Sequence, residues 1–93
     1  MTRTELMNFA NKVYLTYLPW ARKEERIFSC EAWIVKWDFT DFVLIKSYST
    51  IVGIFSYSTG TLYVFKYYTV TTSEHIIKAT ELLPVDRITY FIS

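Results

Sequence analysis

Two side chains in this 93-residue sequence can serve as nucleophile or proton carrier near neutral pH: Cys30, its one cysteine, and His75, its one histidine. Paired, they would make a minimal nucleophilic centre. Yet Phe28-Ser29-Cys30-Glu31-Ala32 contains no nucleophile turn, and Phe28, Cys30, Ala32 and Ile34 alternate as in a strand. Cys30 therefore reads as a small packing residue that stays reduced. His75 falls in the first turn of an expected helix, where the positive helix end disfavours an imidazolium. A neutral ring bonded to a neighbouring strand or hydroxyl is expected there. Thr71, Thr72 and Ser73 stand at the same helix start, but no glycine-rich loop precedes them to let a phosphate approach, so they read as caps. One Cys and one His also exclude, within a single chain, a Cys-rich zinc site, a disulfide framework and a two-His metal centre. The expectation is a non-enzyme with no catalytic residue, no metal and no cofactor.

The aromatic residues carry the stronger indication. Eight Tyr, seven Phe and three Trp are more rings than a core of this size encloses on all sides. Exposed Tyr and Trp are the residue types enriched at interface anchors. Trp20, Trp33 and Trp37 are therefore expected to form a patch that binds a partner protein or a second copy as a homodimer, with Tyr17 and the mixed charges Arg22 to Arg26 as its polar rim. The alternative is single-stranded nucleic acid. Tyr63, Phe65 and Tyr67 would share one strand face beside Lys66, in a stretch from Thr50 to Ser73 that contains no acidic residue. Rings beside a lysine are what unpaired bases stack on. Against that alternative, the sequence lacks the helix between the first two strands and the basic residue and glycine just before the aromatic strand of an RNA-recognition fold. Core under the second helix is the competing use of the same face.

These residues must be placed by a small set of elements. Thr2 and Glu5 have capping-box spacing, and Leu6, Phe9, Ala10, Val13, Tyr14 and Tyr17 recur at three and four residues, so a first helix is predicted over Arg3 to Leu18, stopped by Pro19. Arg22 to Arg26 reads as a solvated loop. Phe28 to Phe39 is predicted as a strand apolar on both faces, a pattern that wants cover on both, so Trp33 and Trp37 either sit under the first helix or stay partly exposed. Phe42 to Ser47, Thr50 to Ser56 and Thr61 to Tyr68 form a three-strand meander, with Gly60 supplying a turn conformation. Thr71 and Glu74 repeat the capping-box spacing before a second helix that ends at Pro84, and Arg87 to Ile92 is a short last strand. The predicted class is α+β, an antiparallel sheet with both helices on one face.

Size and charge bound the rest. Ninety-three residues make one domain, because two cores would leave halves too small to fold without a staple. A net charge of +1 gives no field that would recruit nucleic acid or an acidic membrane. Ser47 to Phe65 runs uncharged for nineteen residues, but ten of them are Ser, Thr or Tyr and two are Gly, which is hairpin chemistry and not a membrane span. Arg3, Glu5, Asn8 and Asn11 interrupt the N-terminus, so no signal peptide is read there and a cytoplasmic location without membrane contact is expected.

Ser47-Tyr48-Ser49-Thr50-Ile51-Val52, Gly60-Thr61-Leu62-Tyr63 and Tyr68-Thr69-Val70-Thr71-Thr72-Ser73-Glu74-His75 together carry a pattern of the form S-Y-x-T-x-V leading through a hairpin to Y-[ST]-x-T-T-x-x-H. In this the sequence resembles a family of small, mostly uncharacterised proteins encoded by phages and plasmids of Gram-positive bacteria. The likeness covers residues 46–77. It implies a mobile-element origin and a hairpin-plus-helix core, and it brings no catalytic or binding residue with it. Together with the aromatic surplus it leads us to expect a non-enzymatic protein that binds and inhibits a host protein, most concretely an anti-CRISPR inhibitor of a CRISPR effector nuclease.

Overall fold

In the computed structural model, which describes residues 2–28, 30–65 and 70–91, the chain opens with helix α1 (Arg3–Tyr17). Thr2 caps it: its hydroxyl accepts from the Glu5 amide, and the Glu5 carboxylate accepts from the Thr2 amide. Leu6, Ala10 and Val13 are its buried stripe. The Trp20 amide bonds the Tyr17 carbonyl in a turn through Pro19, one residue earlier than the predicted end of the helix.

Six strands form one sheet in chain order: β1 (Lys23–Arg26), β2 (Ala32–Lys36), β3 (Phe42–Ser47), β4 (Thr50–Ser56), β5 (Thr61–Val64) and β6 (Arg87–Tyr90), with α2 (Val70–Leu82) between β5 and β6. The α+β class holds, and β3 and β4 have the predicted bounds. Neighbours from β1 to β5 are antiparallel, whereas β6 runs parallel to β5. This corrects the purely antiparallel sheet. A connection through a helix carries the chain back to the end where β5 began, so the next strand must run the same way.

The helices lie on opposite faces, not on one. Ile76, Ala79 and Leu83 pack with Ile34, Val43, Ile45, Phe55 and Leu62 on one side. Leu6, Ala10 and Val13 pack with Val35, Trp37, Leu44, Ile54 and Phe65 on the other. The cause is visible in β2 to β4, whose successive residues are apolar on both faces of the pleat and require two covers.

Two further corrections concern the first strands. Lys23–Arg26, expected as a loop, is the edge strand β1, with all four residues exposed. Charges along an edge leave it paired on one side and unattractive to another strand on the other. The strand expected from Phe28 begins only at Ala32, because Phe28 adopts φ 53° in a turn closed by the Cys30 amide on the Ile27 carbonyl. Gly60 has φ 68°, and its carbonyl accepts from the amides of Asp86 and Arg87, so the β4–β5 turn also seats the start of β6. The second helix begins at Val70, which puts Thr71 inside its first turn and not ahead of it as a cap. The last strand stops at Tyr90, and Ile92 lies outside the described residues.

Candidate functional site

At the end of the sheet where β2 turns into β3, four rings run from core to solvent. Trp37 is fully enclosed beneath α1, and its indole N–H donates to the Tyr17 carbonyl at 3.0 Å. The Tyr17 ring meets Trp37 edge-on at 5.8 Å and Phe39 at 5.1 Å, and Phe39 meets Trp20 at 5.8 Å. Trp20 and Phe39 are 59% and 57% exposed. The loop that carries Phe39 is held by the Thr40 hydroxyl, which lies 3.0 Å from the carbonyls of both Trp37 and Phe42. Rings locked by edge-to-face contacts lose little freedom when a partner covers them, which is the economy of a binding anchor.

Of the three tryptophans expected in a patch, only Trp20 stands open. Trp37 is core, because the sheet is covered on both faces and α1 closes over it. Trp33 is half-buried at the other end of β2, its ring 5.1 Å from Lys46 Nζ and 5.9 Å from the Arg26 guanidinium. Phe39 completes the exposed cluster in their place. Its mark in the sequence is position: Phe39 sits among Asp38, Thr40 and Asp41 in a connection that has no apolar pattern to absorb it.

Of the residues expected as a polar rim, Arg22 and Glu24 share a network with Tyr14 and Lys46. Glu24 Oε1 accepts from Arg22 Nε at 3.2 Å, Tyr14 Oη at 3.4 Å and Lys46 Nζ at 3.5 Å. Burial pushes the Glu24 carboxyl up, but the hydrogen bond and charge of Arg22 and the charge of Lys46 outweigh it and hold it below the usual value.

Of the face expected to stack bases, the two described rings pack on the α1 side of the sheet. Phe65 is buried under α1, whose Arg3 Nε donates to the Phe65 carbonyl at 2.7 Å. Tyr63 is half-buried and stacks on Phe91 at 6.0 Å. The covering helix is therefore the first, not the second. Lys66 and Tyr67 lie outside the described residues.

Cys30 and His75 share the α2 side of the sheet without meeting as a pair. His75 is buried, with Nδ1 2.8 Å from Ser47 Oγ and its ring 5.8 Å from that of Tyr48. Loss of water lowers its pKa from the ordinary 6.5, and the Lys78 charge adds to the effect, so the ring is neutral. Cys30 is half-buried and accepts from Lys78 Nζ at 3.1 Å. Among the described residues, no three His, Cys, Asp or Glu side chains converge as metal ligands, and no helix is long and apolar enough to cross a membrane.

No curated protein and no solved structure matches the chain. One family profile does, over residues 9–88, a span that takes in α1 from its second turn, the Trp20–Phe39 cluster and the sheet as far as β6. On that match the chain belongs to a family of unknown function, DUF8033.

Proposed function

We propose that this protein is a non-enzymatic binding module that docks on a host protein through the Trp20–Phe39 cluster and blocks that protein's action. The observation that carries the reading is the run of edge-to-face contacts from enclosed Trp37 through Tyr17 to exposed Phe39 and Trp20. Two large rings held side by side in water leave most of their apolar surface uncovered, and a binding surface uses such rings as a preorganised anchor. That His75 bonds Ser47 and Cys30 bonds Lys78, and not each other, favours a protein without a Cys–His nucleophilic pair.

Within that class, the resemblance of residues 46–77 to phage- and plasmid-encoded proteins favours an inhibitor of a host defence, and a CRISPR effector nuclease is the most concrete target. Expression in a bacterium with an active effector tests it by plaque counts of a targeted phage. Restored plaquing that is lost with a Trp20→Ala, Phe39→Ala double variant supports the reading. Unchanged immunity removes the nuclease as target.

A further inference from the structure

A second feature lies at the same end of the sheet but on the α2 face. Lys23 of β1 and Lys36 of β2 are directly opposite in the strand register. Like charges in that relation repel and weaken a strand pair, and here they do so on an edge strand of the sheet. No ion pair among the described residues relieves them, and Lys36 Nζ instead lies 4.2 Å over the Tyr57 ring. The two lysines stand at a cleft of about 220 Å³, with Ile34, Val43 and Leu83 among its lining and Glu25 also present. Ile34, Val43 and Leu83 are buried residues of the core on that face, so the cleft has an apolar floor and a cationic rim.

We propose that this cleft binds a carboxylate carried on an apolar body, such as an apolar residue with its free chain-terminal carboxylate. The carboxylate sits between Lys23 and Lys36 and relieves their repulsion, while the apolar part covers Ile34, Val43 and Leu83. Charge selects the class. Two ammonium groups against Glu25, and against the roughly half negative charge at the C-terminal end of α2, leave less than one net positive charge for a ligand. That balance suits a monoanion and disfavours a dianionic phosphate, which would also want the arginine fork that the cleft's lining does not offer. The site does not depend on the Trp20–Phe39 reading, since it lies on the other face and binds a different chemistry.

Backbone amide NMR of the labelled protein, titrated with 4-phenylbutyrate, 4-phenylbutanol and inorganic phosphate, tests the assignment. The carboxylate should move the amides of Lys36, Val43 and Leu83, and the alcohol and phosphate should bind at least about tenfold more weakly. A Lys23→Met, Lys36→Met double variant should lose at least about tenfold in carboxylate affinity and melt no lower than the parent protein. Equal binding of the alcohol would make the cleft merely apolar, and equal binding of phosphate would make it a general cationic patch. Either result overturns the proposal, as do shifts confined to other residues or a double variant that binds unchanged. If the double variant does not fold, Lys36→Gln alone gives the same reading from its affinity.

Discussion

The indole N–H of Trp37 donates to the main-chain carbonyl of Tyr17 across 3.0 Å, and the two rings meet edge-on at 5.8 Å. This double contact fastens the last turn of α1 to the sheet and divides the tryptophans by role. Trp37→Ala should cost about 3–5 kcal/mol, the range for truncating a large enclosed ring. Trp20→Ala, with 59% of its surface already in water, should change stability by no more than about 0.5 kcal/mol. Urea unfolding of both variants checks the contrast, and comparable losses would mean that Trp20 belongs to the core.

His75 makes stability depend on pH. Its folded pKa is below the ordinary 6.5 of the unfolded chain, so the unfolded state binds the extra proton first as pH falls. The stabilisation from a neutral ring is complete above about pH 6.5 and declines as pH drops through the lower, folded value. A His75→Gln variant should show a flatter profile between about pH 7 and pH 5 in the same denaturant assay. Identical slopes in the two proteins would show that another group sets the dependence.

Gly60 is held at φ 68°, and a methyl group built on it would press on the Asp86 carboxylate. Gly60→Ala should therefore cost roughly 1–3 kcal/mol, from the left-handed backbone and the displaced side chain together. Gly60→Asn tolerates that conformation better and should still meet Asp86, so its loss should be smaller but not zero. Thermal melts of the pair measure it, and no loss in either would mean the turn relaxes freely.

Much of this architecture was legible in the sequence, and the exceptions share a cause. The α1 cap, the bounds of β3 and β4 and the Gly60 turn follow from local chemistry: Thr2 with Glu5, runs of Val, Ile and Phe, and a glycine where φ is positive. What local pattern does not encode is which side of a sheet a helix takes. Phe65 and Tyr63 alternate correctly as one strand face, yet only the three-layer arrangement shows that α1 covers it. β1 was illegible because an edge strand need bury nothing, and Lys-Glu-Glu-Arg has no alternation to show. Trp37 is apolar in either role, and its burial depends on the distant Tyr17. Phe39 went unmarked because loops carry no periodicity.

The covered Tyr63–Phe65 face bears on nucleic acid. Phe65→Ala should cost about 3–5 kcal/mol, as Trp37→Ala does, because the ring is enclosed under α1. A labelled single-stranded oligonucleotide titrated at low salt should show no saturable binding that this face supplies. Saturable binding abolished by Tyr63→Ala in a folded protein would reopen the stacking reading.

The claim that Trp20 and Phe39 form a docking anchor is tested most directly by a photo-crosslinker placed at the exposed aromatic positions. p-Benzoylphenylalanine is introduced at Phe39, and separately at Phe28, an exposed ring in the turn between β1 and β2 at the far end of the sheet. Irradiation in the host cell should give one discrete host-protein adduct from position 39 and none from position 28, and Trp20→Ala should abolish the adduct. No adduct at position 39, an adduct insensitive to Trp20→Ala, or one whose mass is twice that of this chain would contradict the account.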